Sequence, residues 1–371
     1  MTRVLVLTAN YGSGHNMAAQ SVARAFETAG AEPIVVDHFR ELVSPMFERA
    51  SRALYYWILR NAPRAWGVAY AAGDAMTTDS PLALGVPRLG TRRLAGLLAR
   101  LTPDLVVTVH ATPAVAMSAL ADRGVRVPPH TTVVTDFVAH SQWIARRVDR
   151  YCVAADEVKH EFIARGISPE KIVVTGVPVR SDFEVGIDPA VARAEFGLPA
   201  NLPVILAMAG AQGAFGRLPT VARALLATRR PAQSVIVAGR DAELKAELER
   251  ITRSSTVRVL GYVASIRHLM AAADVLVTKA GGMTLAEAMA AELPIITYAS
   301  LPGQERRNER FASRAGIALV ARSRRELSRA LERALHDPGL LDRLRAQMRE
   351  LRRPDASHRV AAATLELRIP R

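Results

Sequence analysis

The chain has a single cysteine, Cys152, so it cannot build a disulfide framework or a cysteine-rich metal site, which fits a reducing compartment. It has no uncharged apolar run of about 18 residues, the length a membrane-spanning helix needs. Met1-Thr-Arg-Val-Leu-Val-Leu-Thr8 enters a strand pattern directly, and no signal peptide is expected. No helix-turn-helix, RNP-type or zinc-finger pattern occurs, so nucleic acid is not expected as a partner. A Gly-Lys-Ser/Thr loop is missing too. Met17 stands where a dinucleotide fingerprint would place its third glycine, three residues after Gly14. No Asp-x-Asp triplet offers a divalent ion a seat. What is present is a chain of 371 residues, half of them hydrophobic, with a net charge of +14 carried mostly by arginine. That charge suits an anionic membrane surface, or reflects an arginine-rich proteome.

The length suits two domains. Strand patterns at Arg3–Leu7, Pro33–Val36, Leu105–Val109, Thr132–Thr135 and Arg150–Val153 alternate with helical ones such as Ala18–Ala29. A second series runs Val204–Met208, Ser234–Val237, Thr256–Leu260, Val275–Val277 and Ile295–Thr297. Short β-branched runs between amphipathic helices predict parallel sheets with right-handed crossovers. The fold class is α/β: two Rossmann-like, doubly wound domains facing a cleft, with ligands at the carboxyl ends of the strands. The expected division is residues 1–180, a proline- and glycine-rich hinge at 181–202, a second domain at 203–354, and a terminal helix at 355–371 that can cross back to the first domain.

The second half carries the strongest pattern. Lys279-Ala-Gly-Gly-Met-Thr-Leu-Ala-Glu287 reads as strand, tight turn and helix. Gly281 and Gly282 let the backbone turn, and the amides at Met283 and Thr284 open the helix end that attracts phosphate. Glu287 suits two vicinal ribose hydroxyls. Gln304, Glu305 and Asn308 follow the next strand and suit a hexose. Gly210, Ala211, Gln212 and Gly213, after the domain's first strand, can present amides to a diphosphate. Arg240 and Gly261-Tyr-Val263 end two more strands. Arg240 could line a base pocket, the backbone at Gly261 and Val263 could pair with a uracil edge, and Tyr262 could pack on the ring. Diphosphate, ribose and hexose in a row make a nucleotide-sugar.

In the first half, Tyr11-Gly-Ser-Gly-His15 follows the first strand, with Gly14 close to a ligand and His15 opening a helix. A neutral imidazole there can act as a general base, its pKa lowered by the helix end. Asp136, in Thr135-Asp136-Phe137, orients His15 or takes the proton itself. His110 is a weaker candidate, and His140 and Trp143 follow Asp136. After Asp37 an insert interleaves Trp57, Trp66 and other aromatics with Arg60, Arg64 and further arginines, which suggests a membrane-facing surface or else an aromatic cluster covered by arginine stems.

These residues resemble the monogalactosyldiacylglycerol synthase and processive diacylglycerol glucosyltransferase family, in the same broad group as the enzyme that makes lipid II. The likeness rests on Ala9-Asn-Tyr-Gly-Ser-Gly-His15, Val134-Thr-Asp-Phe137, Thr175-Gly-Val-Pro-Val-Arg180, Met208-Ala-Gly-Ala211, Leu260-Gly-Tyr-Val263, Thr278-Lys-Ala-Gly-Gly-Met-Thr284 and Pro302-Gly-Gln-Glu305 with Asn308. It implies a glycosyltransferase fold of the B type, a UDP-sugar in the C-terminal domain, a lipid acceptor in the N-terminal one, and anomeric inversion without a required metal or cofactor. The expected reaction moves glucose or galactose from a UDP-sugar to diacylglycerol, at the inner face of the cell membrane from the cytoplasm. Other readings are a polyprenyl-diphosphate-linked or soluble acceptor, a nucleotide-sugar-binding regulator without turnover, and a UDP-sugar epimerase. Oligomeric state is left open.

Overall fold

The computed structural model describes residues 1–10, 13–76, 89–208, 217–253 and 256–368. The chain forms two compact units, one made of residues 1–58, 64–181 and 353–371, the other of residues 59–63 and 182–352.

Unit 1 runs β1 (Arg3–Thr8), α1 (Ser13–Thr28), β2 (Glu32–Asp37), α2 (Pro45–Asn61), α3 (Pro63–Ala75), α4 (Thr91–Leu101), β3 (Leu105–Thr108), α5 (Ala111–Asp122), β4 (His130–Val133), β5 (Arg150–Val153), α6 (Asp156–Ala164) and β6 (Ile172–Val174). The strands form one parallel sheet in the order β2-β1-β3-β4-β5-β6. Pro33 is tolerated because β2 is an edge strand and pairs only with β1. Alternation sorts β1 into two cores. Val4 and Val6 pack with Val22 and Phe26 of α1, while Leu5 and Leu7 pack with Leu94 and Leu98 of α4. With both faces covered, the strands read as unbroken apolar runs rather than alternating ones.

Unit 2 runs α7 (Pro189–Glu195), β7 (Val204–Met208), α8 (Leu218–Leu226), β8 (Gln233–Val237), α9 (Ala242–Ile251), β9 (Val257–Leu260), α10 (Ile266–Ala272), β10 (Val275–Thr278), α11 (Gly282–Ala290), β11 (Ile295–Tyr298), α12 (Gln304–Arg314), β12 (Ala318–Ala321), α13 (Arg324–His336) and α14 (Pro338–Leu351). Its parallel sheet has the order β12-β11-β10-β7-β8-β9. The short helix α7, capped by Asp188, lies within the stretch expected to be a linker. Asp274 fastens the start of the sheet: one carboxylate oxygen takes the Val204 N–H at 2.7 Å and the Arg193 guanidinium at 2.6 Å. The last helix, α15 (Ala356–Leu365), belongs to unit 1, where Val360 and Ala361 join the α1 side of the core.

Candidate active site

Each sheet has a point where its strand order reverses, between β1 and β3 in unit 1 and between β7 and β10 in unit 2. Loops leaving such strands diverge and open a crevice at their carboxyl ends. Most of the described residues singled out for catalysis and donor binding lie at these two edges.

In unit 1, His15 lies in the first turn of α1, and the neighbouring Asn16 ties that turn to β1 by accepting from the Thr8 hydroxyl at 2.9 Å. The His15 Nδ1 is 2.9 Å from the Val109 carbonyl and 3.2 Å from Thr135 Oγ1. A carbonyl can only accept, so Nδ1 carries the proton and Nε2 keeps its lone pair. His15 is half-buried but densely surrounded by protein, and desolvation lowers its pKa while the Asp136 charge and the Val109 carbonyl act against that. The lowering expected from the helix end therefore has burial as its main cause.

His110 has the opposite tautomer. As the N-cap of α5 its Nδ1 accepts from the Thr112 N–H at 3.1 Å, which leaves the proton on Nε2. Its ring meets that of His15 edge-on at 4.9 Å. Burial, then repulsion from His15 and His38, holds its pKa well below the ordinary histidine value, so it stays neutral. Asp136 is buried in the loop beyond β4, where no helix follows for it to cap. It accepts from the Trp143 indole at 3.4 Å, and the Trp143 ring lies 6.3 Å from His15 and 6.4 Å from His110. Asp136 thus acts on His15 by charge. Nothing in the residue pattern pointed to the Val109 carbonyl or to Thr135 as the groups that orient the base.

The insert forms α2 and α3. Met46, Leu54 and Trp57 are exposed on α2, and Val68 and Met76 at and just beyond α3. Arg60 and Arg64 are exposed beside them. Trp66 turns inward instead, edge-on to Tyr55 at 5.1 Å and next to Tyr70. The two readings of the insert thus divide between residues: Tyr55, Trp66 and Tyr70 cluster between helices, while Trp57 and aliphatic side chains face outward. Gly14 lies in the first turn of α1. Tyr11 and Gly12 of its motif fall outside the described residues, as do Gly210, Ala211, Gln212 and Gly213 of unit 2.

In unit 2, Lys279, Ala280 and Gly281 join β10 to α11. Gly281 is the N-cap and has no side chain to cap with. Its φ of −71° is open to any residue, and a Cβ there would meet nothing nearer than Thr284 Oγ1 at 4.0 Å. The sharp turn expected from the sequence is therefore not what requires glycine at position 281. What it does is leave space in front of the first amides of α11, at Gly282, Met283 and Thr284.

The turn is braced from behind. Asn308, fully buried, donates to the Ala280 carbonyl at 3.2 Å, and the Ala280 N–H donates to Ser300 Oγ at 3.2 Å. Glu305 takes the Lys279 ammonium at 2.5 Å on one oxygen and the Leu301 N–H at 2.9 Å on the other. Asn308 and Glu305 therefore hold the turn, and the half-buried Gln304 opens α12 after Gly303, whose φ of +94° and ψ of −126° only glycine adopts readily. Glu287 is buried in the second turn of α11, not a solvated helix carboxylate. Further along the same edge the Arg240 guanidinium lies over the exposed Tyr262 ring at 4.4 Å, between Gly261 and Val263 on one side and the end of β8 on the other.

The sequence model described as "Monogalactosyldiacylglycerol (MGDG) synthase" matches residues 15–179, and that described as "Glycosyl transferases group 1" matches residues 214–351. A processive diacylglycerol beta-glucosyltransferase of Bacillus thuringiensis is 33% identical over 98% of this chain and 93% of its own. Among solved structures, MurG of Acinetobacter baumannii superposes with a TM-score of 0.68 at 15% identity, covering 99% of this chain and all of that one. UDP-GlcNAc 2-epimerase of Neisseria meningitidis, bound to UDP-GlcNAc, gives 0.63 at 13% identity over 98% of this chain and 100% of its own. At such identities the structural likeness gives the fold alone.

Proposed function

We infer the activity from one premise: the chain belongs to the family of processive diacylglycerol beta-glucosyltransferases. It is a glycosyltransferase that moves a hexose from a UDP-sugar to the hydroxyl of diacylglycerol. The relatives' names favour glucose, a β-linked product and repeated addition. Since the donor's sugar is α-linked to its diphosphate, a β product means inversion at the anomeric carbon.

The observation that carries the chemical reading is the fixed tautomer of His15. With Nδ1–H held by the Val109 carbonyl, Nε2 is left to take the acceptor's proton. Asp136 stabilises the imidazolium that forms, by charge across a short distance. The freed alkoxide oxygen attacks the anomeric carbon and the bond to the UDP oxygen breaks. The amide end of α11 stabilises the negative charge gathering on the departing diphosphate, a task a divalent ion performs elsewhere. Glu287 suits the ribose, Arg240 and Tyr262 the base, and Gln304 the hexose.

The acceptor lies in a bilayer, and no helix among the described residues is long and apolar enough to cross one. The outward faces of α2 and α3 supply a surface that lies on the membrane, with Met46, Leu54, Trp57 and Val68 entering the interface and Arg60 and Arg64 meeting anionic headgroups. On this reading the protein lies on a membrane surface, and the inner face is the side we propose.

The test is mass spectrometry of products from diacylglycerol liposomes given UDP-glucose or UDP-galactose separately, with EDTA in a parallel arm. Mono- and diglucosyldiacylglycerol from UDP-glucose, with or without EDTA, is the expected result. Absence of any glycolipid would end the reading.

A further inference from the structure

The helix α3 has no buried residue of its own. Its C-terminal half is held by a polar strap, residues 140–142. His140 Nε2 donates to the Tyr70 carbonyl at 3.1 Å, with the His140 and Tyr70 rings 4.2 Å apart. Ser141 Oγ donates to the Gly73 carbonyl at 2.8 Å, and the Ser141 N–H donates to Asp74 Oδ1 at 2.9 Å. Asp74 is itself held by Arg165 of α6 at 3.1 Å. The approach is close: a Cβ on Gly73 would come within 3.2 Å of the Gln142 side-chain nitrogen.

The other end of the strap enters the site. His140 Nδ1 accepts from the Gln142 N–H, which fixes the ring and caps the single turn Ser141–Trp143. That turn aims Trp143, which donates to Asp136 and lies beside His15 and His110. One continuous path therefore runs from the inner side of α3, through three hydrogen bonds to the strap and a fourth from Trp143, to the carboxylate that sets the charge around the base.

The geometry points to residues 140–142 as a coupling strap that passes the seating of α3 on a lipid surface to Trp143, Asp136 and His15, with His140 and Ser141 as positioning residues of the transfer reaction. The inference rests on the membrane-surface reading of α2 and α3. Its physical content is that α3, without a core of its own, takes its position from two partners, the bilayer on one side and the strap on the other. In solution the strap holds its C-terminal half, and the Trp66–Tyr55 contact ties its start to α2. On the membrane the helix is fixed, and the strap fixes Trp143 and Asp136 in turn. Asp136 raises the pKa of His15, so an Asp136 that drifts away lets that pKa fall.

Two measurements test it. The first needs no turnover. In a Trp57→Phe/Trp66→Phe protein, Trp143 is the only tryptophan left of the three. Vesicles of phosphatidylglycerol and phosphatidylcholine should shift its emission. Adding Ser141→Ala and Asp74→Asn should abolish the shift while co-sedimentation with the vesicles persists. Binding without an emission shift in the parent, or an unchanged shift in the variant, overturns the strap.

The second is kinetic, in the otherwise wild-type protein. Ser141→Ala/Asp74→Asn should lower kcat on diacylglycerol liposomes by about ten- to a hundredfold, the range for a group displaced by an ångström. The KM for UDP-glucose should hold and the acid limb of the pH profile should move to lower pH. Ser141→Thr, which keeps the hydroxyl, should retain kcat. An unchanged kcat, or a loss with the acid limb in place and no rescue by threonine, refutes the role. If the wild type makes no glycolipid, the proposed function fails, and the fluorescence arm still decides the strap.

Discussion

The two units share a plan and differ in chemistry. Both have parallel sheets with a reversal beside the first strand, and both gather their candidate residues there. Unit 1 fills its edge with histidines kept neutral by burial: His15, His38 and His110 around the crevice, and His130 inside the sheet. Unit 2 buries none of its histidines, since His268 and His336 lie at the surface beside Glu195 and Glu332. It relies on ion pairs instead, with Lys279 on Glu305 behind the site and Arg193 on Asp274 at the start of the sheet. A neutral ring can accept a proton, and backbone amides backed by fixed charge can hold an anion. On the proposed reading, one plan provides a base in one unit and an anion seat in the other.

The comparison breaks most visibly at His15. His15→Ala should lower kcat by about a hundred- to ten-thousandfold, the usual contribution of a general base, while calorimetric UDP affinity stays within error. Equal losses in both would mean that the residue is structural.

The second largest effect should come from pH. The Nε2 of His130 lies 3.0 Å from the Thr108 hydroxyl and 3.4 Å from that of Thr132, and burial takes its pKa down to about 4. The unfolded chain binds this proton near pH 6.5, so stability is complete above that value and is lost as pH falls toward 4. The loss is roughly 3 kcal/mol for this residue. Urea titrations at pH 7 and pH 4.5, followed by exchange at amides of each sheet, should show unit 1 opening first at the lower pH. Simultaneous opening would remove the distinction.

A third test concerns charge on the insert helices α2 and α3. Replacing Arg60 and Arg64 together by alanine should weaken binding to anionic liposomes by about 2 kcal/mol, near 1 per arginine, with the gap narrowing as salt rises. Unchanged sedimentation would detach these arginines from the membrane. In unit 2, Gly281→Val should cost about tenfold in UDP affinity, within the ~2 kcal/mol upper range of a helix end, and barely move the melting temperature, since a Cβ there meets nothing nearer than Thr284 Oγ1 at 4.0 Å. The smallest effect is expected from Arg240→Ala, about 0.5–1 kcal/mol of UDP binding for an exposed cation–ring pair.

Much of this architecture was readable in the sequence, for reasons that particular elements make plain. Strands such as Val204–Met208 are continuous apolar runs bounded by turn residues, and nothing else fits them. The edge strands β6 and β12 escaped because each is only three or four residues long and partly exposed, with Ala318 and Ala321 bounding the second. Strand β4 was expected two residues late, at Thr132–Thr135, because Val134 and Thr135 extend the β-branched run past the last paired residue, Val133. At the site, the residue types were legible and their partners were not. Glycine before a helix announces an anion seat, but the pairing of Asn308 with a carbonyl 28 positions away, or of His15 with one 94 away, exists only once the chain has folded.

The hydrogen bond between His15 and Val109 has one more consequence. A ring nitrogen whose hydrogen is held by a carbonyl, with the Thr135 hydroxyl alongside, is poorly placed to pass it inward, since the carbonyl gives none back. Whatever hydrogen the ring collects on its far nitrogen must depart by the doorway through which it came. The glycolipid just made has to lift away and let water touch the imidazole before another sugar can be joined. Repeated addition, as proposed above, would then be paced by the draining of that doorway, and a small buffer base able to enter it should speed the cycle.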